Sequence, residues 1–137
     1  VIMHIASLPG KFGIGTFGKE AYEYVDFLVE SGLKYWQILP LGQTGYGDSP
    51  YQSFSAFAGN PYFIDYNILN REGLLRTDEY EYENYGENIE YVDYGLLFDV
   101  KYKVLKKAYR NFKDLDNFQL LLNDSNLLHL LLTISFD

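Results

Sequence analysis

Residues 35–66 read YWQILPLGQTGYGDSPYQSFSAFAGNPYFIDY, and between Lys34 and Asp65 the one formal charge is Asp48. Trp36, Tyr46, Tyr51, Phe54, Phe57 and Tyr62 alternate there with Gln37, Gln43, Gln52, Ser49, Ser53, Ser55 and Asn60. Surface connections ordinarily use Lys and Glu for solubility, so an uncharged, aromatic-rich one has two readings. It is a buried connection whose rings are core, or it is a site for a neutral polar ligand, since ligand sites are mostly apolar with a few convergent polar groups. A sugar is such a ligand: it offers C–H faces to aromatic rings and hydroxyls to amides and carboxylates.

Upstream, residues 35–39 read as a strand ended by Pro40. Before it, residues 19–31 form an amphipathic helix, with Ala21, Val25, Leu28 and Val29 on one stripe, Glu20 at the positive end of the dipole and Gly32 as the stop. Residues 2–5 are a short apolar run, read as a buried strand with His4 as a satisfied core histidine. Strand, helix and strand at this spacing make a βαβ unit with parallel strands. The turn after residue 5 and the loop after residue 39 then leave the C-terminal ends of parallel strands, the edge where α/β folds place their ligands. Gly13, Gly15 and Gly18 partly fit a dinucleotide fingerprint, but no distinctive acidic ribose partner follows about 20 residues on. They are read as turn residues.

Within the loop, Gly42, Gly45 and Gly47 permit tight turns. Tyr46, flanked by glycines, is either an exposed ring or a turn-packing one, and Asp48-Ser49-Pro50 reads as an Asx or Ser turn. Asn60-Pro61 marks a further turn before a strand-like Tyr62-Phe63-Ile64. Residues 68–75 resemble a short helix that Gly73 frays, and Asp65 reads as a cap for residues 67–70. Residues 78–93 hold seven acidic side chains interleaved with Tyr80, Tyr82, Tyr85 and Tyr91, a solvated surface excursion by composition. They lack the oxygen-ligand spacing of an EF-hand. Asp93 caps a helix over residues 94–113 with an apolar stripe of Leu97, Val100, Val104, Leu105, Ala108 and Phe112. Six of the eleven basic residues lie in that helix and balance the acidic run before it. Residues 115–134 are leucine-rich and read as helical, with an interruption at Asn123-Asp124-Ser125-Asn126.

The whole chain has 137 residues, enough for one small domain, and it is 47% hydrophobic, enough for a core. Its net charge is −8, which argues against nucleic acid and anionic membranes as partners, since both require basic patches. There is no cysteine, hence no disulfide framework or thiolate metal site, and His4 and His129 are too few for a histidine metal site. Apolar runs fall well short of the ~18 residues of a membrane span.

The run LPLGQTGYGDSPYQSFSAFAGNP, preceded by HIASLPGKFGIGTFG and including YWQILPLG, resembles the 4-alpha-glucanotransferases, the amylomaltase or disproportionating-enzyme family. The likeness is close over residues 2–66 and looser through VDYGLLF at residues 92–98. It implies an α/β fold: the N-terminal portion of a (β/α)8 TIM-type barrel, incomplete in this chain, with residues 1–137 in one catalytic domain, a substrate-binding loop over about residues 40–61 and no separate domain. It implies a cytoplasmic enzyme that moves alpha-1,4-glucan segments between maltooligosaccharides through a covalent glucosyl-enzyme, without cofactor or metal. Oligomeric state is not readable.

Glycosidic bond cleavage usually takes two carboxyl groups, about 5–5.5 Å apart in retaining enzymes. Around the loop only Asp48 and Asp65 offer themselves. The resemblance accounts for this: the nucleophile, the acid/base and the stabilising carboxylate of such enzymes come from later strands, expected beyond Asp137. No catalytic residue is therefore assigned, and the segment alone is expected to be inactive. Carried over by the GYGDSPYQS motif are Tyr51, stacking on the sugar beside the scissile bond, Ser49 and Asp48, hydrogen-bonding nearby, and Tyr46, a more remote glucan contact. Alternatives are a related retaining alpha-glucan hydrolase, a glucan-binding fragment without its own activity, and a gene remnant whose frame is lost after about Asn117.

Overall fold

In the computed structural model, residues 1–43, 49, 51, 59–88 and 90–114 are described. Asp48, Tyr46, the aromatics Phe54 and Phe57 and the leucine-rich residues 115–134 lie outside them.

Helix α1 spans Lys19–Glu30, with Gly18 at its N-cap and Glu20 in its first turn. It closes in a Schellman motif: Gly32 adopts φ 72°, its N–H donates to Val29 O (3.0 Å), and the Leu33 N–H donates to Leu28 O (2.9 Å). The stripe that α1 buries differs from the expected one. Ala21 and Leu28 are buried, but Val25 is 43% and Val29 68% exposed. The third inward position is Tyr24, whose ring meets Trp36 edge-on at 5.0 Å. Residues 21, 24 and 28 share a face at helical spacing, so a large ring with a partner takes the place of the smaller valines.

The two strands expected on either side of α1 reduce to one parallel bridge between Ile2 and Gln37. Met3 N–H donates to Gln37 O (3.1 Å) and Gln37 N–H to Val1 O (2.9 Å), and the Trp36 indole donates to Met3 O (2.8 Å). The parallel sense agrees with the βαβ reading, but the buried strand does not. Ile2 is 67% and Tyr35 84% exposed, and Ile5–Ser7 is a 3₁₀ turn. A parallel pair is buried only when neighbours cover both faces, and no further strand stands beside this pair among the described residues. His4 also departs from expectation. Its ring stands edge-on to Phe63 at 5.2 Å, its Nδ1 has no hydrogen-bond partner among the described residues, and burial lowers its pKa.

The link to α1 is held by close backbone approach rather than by turn formation alone. A Cβ on Gly15 would lie 2.0 Å from Ile5 O and 2.8 Å from Leu8 O. Beyond the loop, Tyr62-Phe63-Ile64 is no strand: Pro61–Phe63 is a 3₁₀ turn with all three residues buried. Proline presets its first φ, and the Asn60 side chain accepts from the Tyr62 N–H (3.0 Å), satisfying a donor that a strand would have paired. Helix α2 follows over Tyr66–Arg71, two residues earlier than expected, because Asp65 caps it by accepting from Ile68 N–H (3.0 Å).

The acidic stretch is only partly a surface excursion. Tyr82 and Tyr91 are exposed, but Tyr80 and Tyr85 are buried. They gather around Phe12, with ring centroids at 5.5 and 5.3 Å, beside Tyr66 at 5.0 Å. Helix α3 spans Tyr94–Asp114, capped by Asp93, whose Oδ1 accepts from Leu96 N–H (3.0 Å). Its stripe is as read at Leu97, Val104, Leu105 and Ala108, all fully buried. One member is unexpected: Lys101, at the same spacing, is also fully buried. Its ammonium donates to Tyr62 O (2.6 Å) and Ile64 O (3.2 Å) and lies 4.8 Å from the centre of the Tyr66 ring.

Two predictions follow from this packing. Gly15→Ala forces a methyl group into two backbone carbonyls and should cost about 1–3 kcal/mol. Gly32→Ala is strained in φ but meets nothing within 4 Å, and should cost about 1 kcal/mol. Urea unfolding midpoints check the order; equal losses would contradict the close approach at Gly15. The second concerns pH. Burial lowers Lys101 from 10.5 to about 7, against the pull of Asp65. Between those values the unfolded chain holds a proton that the folded chain lacks, so this group's contribution makes stability rise from pH 7 upward. The Tyr66 and Tyr85 phenols, pushed up mainly by burial, act in the opposite sense only above about pH 10. Denaturation series between about pH 7 and 9.5 should therefore show a steeper rise for the native chain than for Lys101→Met, and parallel curves would contradict it.

Candidate functional site

The uncharged loop is entered and left through paired stems. Asn60 N–H donates to Leu41 O (2.9 Å), and Gly42 and Gly59 form an antiparallel bridge. The stems therefore meet side by side, and the residues between them leave and return at one place. On the entry side, Gln43 Nε2 donates to the Tyr102 hydroxyl (2.8 Å). On the exit side, Tyr62 of the Pro61–Phe63 turn and Ile64 just after it present their carbonyls to Lys101. α3 thus lies behind both ends of the loop.

Of the four residues singled out for sugar contact, Ser49 and Tyr51 fall among the described residues. The Tyr51 N–H faces Ser49 Oγ at 3.4 Å, a weak serine turn. The Tyr51 ring is 72% exposed, so it is not packed as loop core. Asp48 and Tyr46 lie outside the described residues. Asp65, the other carboxylate near this region, is committed to structure. It is buried, its Oδ1 caps α2, and its Oδ2 accepts from Thr16 Oγ1 (2.8 Å).

A groove between α1 and α2 is lined in part by Lys19, Glu20, Asp65 and Arg71. Among the described residues it shares none with the loop, and its charged lining is unlike the loop's composition. α3 meets the acidic stretch at Glu83, which Lys103 and Lys107 approach at 2.8 and 3.3 Å, and Lys11 pairs with Glu81. The Lys103 hydrogen bond, with lesser help from Lys107, lowers the Glu83 carboxyl below its ordinary pKa. Among the described residues no group of three or more His, Cys, Asp or Glu could hold a metal ion, and no helix is long and apolar enough to cross a membrane.

Gln43, Lys101 and Tyr102 were not legible as site residues. The one available signal was Lys101 itself, which lies four residues from both Leu97 and Leu105 on a face otherwise apolar.

Residues 3–124 match glycoside hydrolase family 77, 4-alpha-glucanotransferase. The 4-alpha-glucanotransferase of Clostridium butyricum is 68% identical over 115 residues, covering 84% of this chain and 24% of that protein. That of Thermus thermophilus is 53% identical over 114 residues, covering 83% of this chain and 22% of the relative. Among solved structures, the amylomaltase of Streptococcus agalactiae in complex with acarbose superposes with a TM-score of 0.85 at 53% identity, over 91% of this chain and 25% of that one. The chain thus spans about a quarter of the length of these relatives and is a fragment of an enzyme domain. With a family match that takes in the whole GYGDSPYQS loop and both of its stems, this chain belongs to the 4-alpha-glucanotransferase family.

Proposed function

We propose that the chain supplies the N-terminal quarter of a (β/α)8 catalytic domain that transfers alpha-1,4-glucan segments between maltooligosaccharides, and that its contribution is the sugar-contacting loop over about residues 40–61. The observation that carries this reading is the exposed ring of Tyr51, on a loop whose stems are pinned side by side. An exposed aromatic face on an uncharged loop is a surface for the C–H face of a sugar. The binding of acarbose by the related amylomaltase supports the ligand class. Ser49 and Asp48 are assigned polar contacts at or beside the scissile bond, and Tyr46 a more remote glucan contact.

In this reading the carboxylates that form and resolve the covalent glucosyl-enzyme come from outside residues 1–137. The bond between C1 and the leaving 4-oxygen breaks as the nucleophilic carboxylate bonds to C1. The acid/base protonates the leaving oxygen. It then deprotonates the incoming 4-hydroxyl of a second glucan, which displaces the carboxylate. Transfer wins over hydrolysis when the site holds a glucan acceptor and disfavours water. A neutral loop lined with rings favours that outcome, because it binds sugar faces and offers few ionic groups to order water.

The exposed apolar surface supports the reading as part of a larger domain. Val1, Ile2, Val25, Val29, Leu33 and Tyr35 stand open on one helix and on the outer edge of the bridge, a surface that a further barrel element would cover.

In the full-length enzyme carrying this segment, maltotriose should yield both longer and shorter glucans; only shorter products would favour the hydrolase. Tyr51→Ala should lower kcat/KM by up to roughly 150-fold, equivalent to about 3 kcal/mol, with the melting temperature unchanged. The loss should fall on turnover as well as affinity if the contact tightens in the transition state. A lowered melting temperature beside near-normal kinetics would remove Tyr51 from the site.

A further inference from the structure

We propose that Tyr102, backed by its neighbour Lys101, is a positioning residue for the sugar-contacting loop: consecutive side chains of α3 tie down the loop's two stems. The inference rests on the loop reading above and goes beyond it, because both residues belong to α3 and not to the loop.

The geometry is specific. Gln43, the last described residue of the entry stem before Ser49, donates to the Tyr102 hydroxyl at 2.8 Å. The Tyr102 ring meets Tyr62 of the exit side edge-on at 6.2 Å and is backed one turn earlier by Phe98 at 5.0 Å. Lys101, the adjacent residue, donates to Tyr62 O and Ile64 O. Tyr102 therefore contacts both sides of the loop, and Lys101 fixes the backbone of the exit side from within the core. The stems are joined to each other at Leu41 and Asn60, so a displacement at either contact passes to both ends.

The chemistry of each contact suits this task. A lysine amino group keeps at least two N–H donors in either protonation state and can hold the carbonyls of Tyr62 and Ile64 together, which an apolar side chain of the same length cannot. A phenol can accept from an amide at its tip while its ring packs against another ring. α3 is a 21-residue helix with four fully buried apolar residues, so it is a rigid base from which to hold a loop. Catalytic and binding groups need such support because small misplacements cost rate steeply.

The test uses the full-length enzyme carrying this segment, with maltotriose as substrate and the pair Gln43→Ala and Tyr102→Phe, neither of which touches the core ammonium. Each should raise KM roughly three- to tenfold with little change in kcat or melting temperature. Both remove the Gln43–Tyr102 hydrogen bond, so the double variant should lose less than the sum of the two single losses. The Asn60 amide, bonded across the stems, should exchange hydrogen faster in all three. Additive losses, unaltered Asn60 exchange, or a lowered melting temperature with native KM would overturn the proposal. Tyr51→Ala run alongside separates the two ideas. If it impairs transfer while Tyr102→Phe does not, the positioning role alone fails. If Asn60 exchange quickens but neither Tyr102→Phe nor Tyr51→Ala affects KM, the sugar reading fails and takes this proposal with it.

Discussion

The Lys101 ammonium is the contact on which the local architecture turns. It sits fully buried between the carbonyls of Tyr62 and Ile64 and the face of the Tyr66 ring. A buried amino group is tolerated only when its donors are used, in its neutral form as in its charged one, and a tight turn's carbonyls are costly to bury unless something donates to them. Each side of the pair therefore answers the other's desolvation. The result is that a 3₁₀ turn, which has few backbone bonds of its own, becomes a fixed joint between the loop and α2. Asp65 completes the joint by capping α2 with one carboxylate oxygen and binding Thr16 with the other.

This arrangement also explains how the loop can do without charge. The chain is strongly acidic, yet its acidic groups are concentrated beyond Arg76, where α3 lysines and Asn111 meet them. One face of α3 answers the acidic stretch, another fills the core, and its Lys101–Tyr102 pair reaches the loop stems. Ion pairs at exposed or half-exposed positions contribute little stability individually. Their effect here is on placement: Lys103 and Lys107 meet Glu83, while Lys101 and Tyr102 of the same helix meet Tyr62 and Gln43 at the loop stems.

Elements with long local patterns were legible in the sequence. α3 shows its period through 21 residues and carries its own cap in Asp93, so both its extent and most of its buried face could be read. α1 was legible as a helix and its inward face in part: Ala21 and Leu28 are buried as read, but Tyr24 faces inward in place of Val25 because a distant ring, Trp36, gives it a partner. The strands on either side of α1 failed as elements because pairing is a property of neighbours, and among the described residues they pair through a single bridge, Ile2 with Gln37. Tyr62-Phe63-Ile64 looked like a strand because burial alone produces the same apolar run; the cap from Asn60 that makes it a turn is a matter of one side-chain rotamer. The candidate site was legible through its motif, not through chemistry in the segment itself. The supports behind it were hidden because Lys101 reads as a solvated charge until the surrounding carbonyls are in view.

The separation in sequence of the core's partners sets an order of assembly. Phe12 meets rings contributed by Tyr66, Tyr80 and Tyr85, and the carbonyls at Tyr62 and Ile64 wait for an ammonium 39 and 37 residues further on. A chain emerging from the ribosome can form α1 at once, since its contacts are local, but closing this core requires residues as late as Ala108. Until then the apolar and aromatic side chains have no lasting cover, and the loop stems have no helix to lean on. Contacts so distant along the chain close slowly, because the entropy of the intervening segment is lost before they form. The same helix that holds the loop stems is thus the last described element to be made, and apolar side chains left open until then are where an incomplete chain is prone to associate.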